Sequence, residues 1–200
     1  MVKVLAKAEG RGAVCSGGHT QWAGSNDIFN GVTIDLGRMM DRTYHADTKL
    51  ALIQPGSRLS DVYEKLLQHS VCVTGGQDGN VGVGGLLTGG GNSYYAGLYG
   101  SACDNVAEWE VVLAKGNILN DNAILHTDFW TALKEGSGNF GIVTRFYMYT
   151  FPAHHLWGGN RASTGKHGII SLRPWSTLPT ITIIILKLRT SSTKPTDPIL

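Results

Sequence analysis

Glycine limits how this chain can fold more than any other residue. There are 27 glycines among 200 residues, and most gather in three places: Gly17-Gly18, a tract from Gly75 to Gly91, and Gly136 to Gly141. Glycine is a poor helix and strand former but permits positive φ and close backbone approach. No three-residue repeat runs through the chain, which excludes a collagen-like fold. The clusters sit at the ends of predicted strands, an arrangement that suits backbone wrapped closely around a ligand.

The first cluster is Ser16-Gly17-Gly18-His19-Thr20. Its two glycines allow main-chain N–H groups to converge on an anion, and the flanking hydroxyls add donors. A histidine at the crest can reach whatever the loop holds. Taken alone, the pentapeptide also fits an ordinary turn with a surface histidine. In the second cluster, Gly82-x-Gly84 is followed by Leu87 where a dinucleotide fingerprint requires a third glycine, so the spacing to Asp104 is read as coincidence. No Walker lysine follows any of the glycines.

The size allows one ordinary domain or two small ones. The 42% hydrophobic and 16% charged content suits a packed core. A net charge of +2 is too small to imply nucleic acid or an anionic membrane as a partner. Cys15, Cys72 and Cys103 are too widely spaced for a disulfide framework or a zinc site, and no metal is expected. The apolar stretch within residues 1–7 is too short for a signal peptide, and that at 181–186 too short to cross a bilayer. The chain as written reads as soluble and not exported.

Patterning predicts a helix over 1–10, a short strand at 13–15 entering the first cluster, and strands at 31–36 and 49–53, the last closed by Pro55-Gly56. An amphipathic helix follows at 60–70, with Ser60 as N-cap and Val62, Leu66 and Leu67 on its apolar face. A buried strand at 71–73 leads to the second cluster, and 94–104 reads as an aromatic loop. A hairpin joins a strand at 106–113 to one starting at Ile118, turning on Lys115-Gly116-Asn117. A helix over 127–134, capped by Thr127, precedes the third cluster. A strand at 142–150 then alternates Val143, Arg145 and Tyr147 against Ile142, Thr144 and Phe146, and Pro152 ends it. From about Arg161 the character changes, and a divergent, poorly ordered tail is expected over 161–200.

The order of these motifs resembles a known family. Ser16-Gly17-Gly18-His19, the strand at 31–36, Val81-Gly82-Val83-Gly84-Gly85-Leu86 with Gly89-Gly90-Gly91, Tyr99-Gly100 with Asp104-Asn105-Val106, and Gly138-Asn139-Phe140-Gly141-Ile142-Val143-Thr144 together resemble the FAD-linked oxidases. These form the vanillyl-alcohol-oxidase superfamily with a PCMH-type FAD domain, and the similarity is greatest to the berberine-bridge-enzyme-like branch from fungi. It covers about residues 2–160. The resemblance implies an α+β domain of two small α/β subdomains with FAD in the crevice between them. It implies pyrophosphate against Ser16, Gly17, Gly18, His19 and Thr20, with His19 commonly bonded to the flavin 8-methyl carbon. An imidazole nitrogen is a competent nucleophile at neutral pH. By the same resemblance Gly76, Gly82, Gly84, Gly85, Gly89 and Gly90 line the flavin and pyrophosphate with Asp104 nearby, and Gly141, Ile142 and Val143 hold the adenosine end. A small-molecule substrate and molecular oxygen are the implied partners.

Some members carry a second tether, a cysteine just before the Val-Gly-x-Gly-Gly run. Here that stretch is Gln77-Asp78-Gly79-Asn80, so a single link through His19 is expected, with Cys72 too early to substitute. Cys15 stands where the family usually has arginine. The family's N-terminal strand-helix-strand portion and its substrate domain, expected after Phe151-Pro152, are not matched, so the expectation is a chain truncated at both ends. No catalytic base can be named. Two functions therefore stand open. One is an FAD-dependent oxidase passing hydride from a substrate C–H to flavin N5; the other is a catalytically inactive remnant of its FAD domain. Location is open too, since relatives are often secreted.

Overall fold

Strands of eight residues or fewer build three small sheets, joined by short helices. The computed structural model describes residues 1–154 and 156, and Met1–Pro152 forms one compact unit. The expected tail at 161–200 lies outside the described residues. In chain order the elements are α1 (Val2–Lys7), β1 (Gly12–Cys15), β2 (Val32–Asp35), β3 (Arg42–His45), β4 (Leu50–Ile53), α2 (Leu59–Leu67), β5 (Val71–Cys72), α3 (Val83–Thr88) and α4 (Ala96–Tyr99). A 3-10 turn (Ala102–Asn105), β6 (Val106–Val112), β7 (Ile118–Asn122), α5 (Thr127–Leu133), β8 (Ile142–Tyr149) and β9 (Phe151–Pro152) follow. β1 and β2 pair in parallel, β5 and β9 pair antiparallel, and a five-stranded sheet runs β3-β4-β8-β6-β7. The architecture is α+β, as expected.

The core forms on the five-stranded sheet. Trp109 and Phe146 lie opposite each other on β6 and β8, both fully buried, with ring centroids 5.5 Å apart in an edge-to-face arrangement. Ala51 and Ile53 of β4 join the same cluster, as do Leu59, Val62 and Leu66 of α2. Those three α2 residues recur at helical spacing, which aligns one apolar stripe toward the core.

The simple alternation expected for β8 does not hold. Val143, Phe146 and Met148 are its buried residues. The reason is a pair of bulges in the ladder with β6. Glu110 pairs with Arg145 but Val111 pairs with Val143, leaving Thr144 unpaired; Val106 pairs with Met148 but Glu108 with Tyr147, leaving Ala107 over. Each extra residue reverses which face the next side chain meets. The Thr144 hydroxyl donates to Glu110 Oε1 at 2.7 Å, and Arg145 Nη1 bonds Glu110 Oε2 at 3.1 Å. β9 also continues the chain into a strand at the proline expected to end it.

Two helix starts differ from expectation. α2 begins at Leu59 after Arg58, not after Ser60. Its first amides are satisfied by main chain instead of by a capping side chain: Leu59 N–H donates to the Val81 carbonyl at 3.1 Å and Ser60 N–H to that of Gly79 at 2.9 Å. α5 begins after His126, which is left-handed at φ 56°, while the Thr127 hydroxyl donates back to the Ala123 carbonyl. α3, α4, the 3-10 turn and β3 form where loop was expected.

Asp121 on β7 is wholly buried, with Oδ1 3.3 Å from His126 Nδ1. Burial pushes its carboxyl above the usual range, and the neighbouring His126 partly offsets that. A carboxyl that ionises less readily in the fold than in the unfolded chain costs stability once it is charged. Stability is therefore expected to fall as pH rises from the ordinary carboxylate range through the elevated one. Urea denaturation of Asp121→Asn from acid to neutral pH should show that fall flattened.

Candidate functional site

The site grows from the end of β1. The β1–β2 pairing continues one bond further, Leu36 N–H to the Cys15 carbonyl at 2.8 Å, and the chain then turns at Ser16. The Ser16 hydroxyl, expected as a free donor, instead donates to the Pro55 carbonyl at 2.5 Å. Gly17 meets Gly82 backbone to backbone. A methyl group on Gly17 would lie 2.5 Å from Gly82 Cα, and one on Gly82 would lie 2.5 Å from Gly17 Cα. No side chain fits in that gap. Gly18 then takes φ 65°, a region costly for other residues, and its Cβ position is open space. The amides of Gly17, Gly18 and His19 have no acceptor among the described residues, and His19 and Thr20 are exposed.

The second cluster is tied to the turn at Pro55. Val83 N–H donates to the Ser57 carbonyl at 3.0 Å and Gly84 N–H to that of Pro55 at 3.3 Å. Gly84 lies so close to Ser16 that a methyl group on it would be 2.8 Å from the Ser16 hydroxyl. Gly85, one residue on, faces open space. The third cluster is tied to α3 by Ser137 N–H donating to the Thr88 carbonyl at 2.9 Å. Gly141, at φ 152°, passes under Val111 and Val112, where a methyl group would collide with both.

These three segments border one cleft of about 780 Å³, within the range of small-molecule and cofactor sites, about 300–1,000 Å³. Its lining includes Ser16, Gly17, Gly18, His19, Thr20, Gly82, Gly84, Gly85, Gly141, Ile142 and Val143. Four expected residues lie outside that lining. Gly76 accepts the Tyr63 hydroxyl proton at 2.8 Å. Gly89 closes α3, and the Gly90 carbonyl accepts from Cys103 N–H at 2.8 Å. Asp104 caps the 3-10 turn through Ser101 N–H at 3.0 Å and pairs with Lys134 Nζ at 3.5 Å. The cleft also draws on residues not named as site residues from sequence, among them Pro55, Asn139 and Phe140. Pro55 was legible only as a turn; what brings it here is the Ser16 hydroxyl.

Among the described residues no Lys, Arg, Asp or Glu lines the cleft. Cys72 is not in the lining either, and burial pushes its thiol up to about 11, so it stays protonated and poorly nucleophilic at neutral pH. Among the described residues no group of three His, Cys, Asp or Glu is placed to hold a metal ion. None of their helices is long and apolar enough to cross a membrane.

An α+β domain whose glycine turns converge on one cleft of this size is a nucleotide-cofactor domain in form. The chain belongs to the FAD binding domain family, whose model matches residues 1–122. It is 47% identical over 148 residues to the FAD-dependent monooxygenase sdcF of Emericella nidulans, covering 74% of this chain and 31% of that protein. Among solved structures it is similar to the carbohydrate oxidase from Microdochium nivale, with a TM-score of 0.72 and 30% identity over 78% of this chain and 33% of that one. It is also similar to Physcomitrella patens BBE-like 1, with a TM-score of 0.71 and 26% identity over 77% of this chain and 34% of the other. The resemblance to berberine-bridge-enzyme-like oxidoreductases is thus borne out, and FAD is the cofactor. The chain spans about a third of the length of the curated relatives it matches.

Gly85 separates a packing role from a cofactor role. Alanine there suits a helix and meets no atom, which predicts unchanged or slightly raised stability, by about 0.5–1 kcal/mol. Its methyl group narrows the cleft. Gly85→Ala is expected to melt no earlier than the parent while retaining several-fold less FAD on purification, as read by visible absorbance.

Proposed function

We propose that this chain holds the flavin of an FAD-dependent oxidase acting on a small-molecule substrate, with FAD seated in the cleft and tethered through His19. The observation that carries this reading is the meeting of three separate glycine segments at one cleft with His19 in its wall. The residues present fit the group. The amides of Gly17, Gly18 and His19 lack acceptors among the described residues, and main-chain donors of this kind suit a diphosphate. Among the described residues the lining holds no carboxylate to repel it. Val14, Leu36, Val81 and Phe140 add apolar surface for flat rings, while Gly141, Ile142 and Val143 are assigned the adenosine end.

Bound FAD supplies a two-electron acceptor for a substrate C–H hydride, with oxygen as the final acceptor. The chain's own part is to hold, orient and tether. His19 is exposed at the crest of its turn, so one ring nitrogen is free to form a bond. A tether at His19 would replace one imidazole N–H and one C–H of the flavin 8-methyl group by an N–C bond, and the two hydrogens with their electrons would pass to oxygen as peroxide. Asp104, Gly76, Gly89 and Gly90 serve the fold around the cleft, and the proposed contacts are those in its lining.

The test is the fate of the flavin after denaturation. Protein expressed with FAD is expected to stay yellow through acid precipitation, and His19→Ala to release its flavin into the supernatant. Complete release from the parent protein contradicts the tether, and so does retention by His19→Ala.

A further inference from the structure

Among the described residues the cleft lining holds no Lys or Arg, yet FAD brings two phosphate charges. Cys15, next to the turn, offers no cationic group either. Among the described residues, a cation that does not line the cleft lies close to the turn's backbone. Arg58 forms an isolated bridge with Gly82, so its side chain starts where the first two glycine segments meet. Its Nη1 donates to the Asn80 carbonyl at 2.6 Å. A methyl group on Gly17 would lie 3.3 Å from that same nitrogen. The guanidinium therefore lies against the turn whose Gly17, Gly18 and His19 line the cleft. Among the described residues it forms no ion pair with a carboxylate; the pairs present join His126 to Asp121, Lys134 to Asp104 and Arg145 to Glu110. Asp61 and Asp78, the acids closest to it and its partner in sequence, are not its counter-ions.

A fixed positive charge that is half-buried, latched to a carbonyl and without a counter-ion among the described residues favours an anion nearby. We infer that Arg58 supplies the positive charge for the diphosphate held at the Gly17-Gly18-His19 turn. This rests on the cleft being the FAD site. Arg58 does not line the cleft, so it acts as a positioning residue: its charge acts through the turn, and its bond to Asn80 holds the charge there. A merely structural Arg58 would provide the latch and nothing more.

Phosphate-dependent binding separates the two roles. The whole chain in a His19→Ala background, where flavin is reversible, is titrated with FAD, ADP and riboflavin at low and physiological salt. Riboflavin has the ring system without phosphate, and ADP the diphosphate without the ring. Arg58→Gln removes the charge but keeps a polar side chain, and Arg58→Lys keeps the charge. Arg58→Gln is expected to weaken FAD and ADP roughly tenfold, flatten their salt dependence and leave riboflavin unchanged. Arg58→Lys is expected to recover most of the loss. Unchanged ADP and FAD binding in Arg58→Gln overturns the inference, as does equal loss of riboflavin or failure of lysine to improve on glutamine. If the parent binds none of the three, the FAD reading of the cleft falls and this inference with it. If the parent binds and Arg58 is indifferent, only this inference falls.

Discussion

At Gly17 and Gly82 two stretches of main chain touch with no side chain between them. The rest of the site depends on that contact. It sets the turn after β1 against the start of α3, and it leaves Ser16 within reach of Pro55. A Cβ on either residue would sit 2.5 Å from the other's Cα, well inside van der Waals contact, so a substitution must move one backbone or the other. The glycine content of this chain is thus a spatial requirement as much as a conformational one.

A site made of glycine loops needs something to keep it in place. Here that is an exchange of main-chain bonds between two segments. The start of α2 donates to carbonyls of Gly79 and Val81, and the start of α3 donates to carbonyls of Pro55 and Ser57. The first amides of any helix have no partner within it, and these four are used to join the helices' own entry segments. The bulges between β6 and β8 serve a related end. They let Val111 and Val143 both face the core, and Gly141 passes beside Val111 at the start of that strand pair. The sheet therefore delivers the third glycine segment to the same cleft.

What could be read from the residues was mostly where the backbone bends. The first cluster, the hairpin at Gly116, α2 and the strands at 31–36, 49–53 and 106–113 all follow from local pattern. Ser16 to Thr20 and Gly141 to Val143 were legible as candidates from the ordered motif set, and they line the cleft. α3 was not, since Val-Gly-Gly-Leu-Leu-Thr has little helical propensity and is held by carbonyls 26 or more positions earlier in the chain. Bulges leave no mark in a single sequence, so the phase of β8 was out of reach. Gly89, Gly90 and Asp104 look like cofactor residues in a string of glycines and an acid. The structure places them outside the cleft lining, in contact with Leu86, Cys103, Ser101 and Lys134.

The whole account turns on whether the Gly17–Gly82 contact shapes a cofactor cleft. The most direct measurement is the flavin content of Gly17→Ala, taken from its visible spectrum alongside far-ultraviolet circular dichroism. The account predicts a folded sheet that has lost its FAD, because the turn can no longer sit against Gly82. A Gly17→Ala protein as yellow as its parent would contradict it.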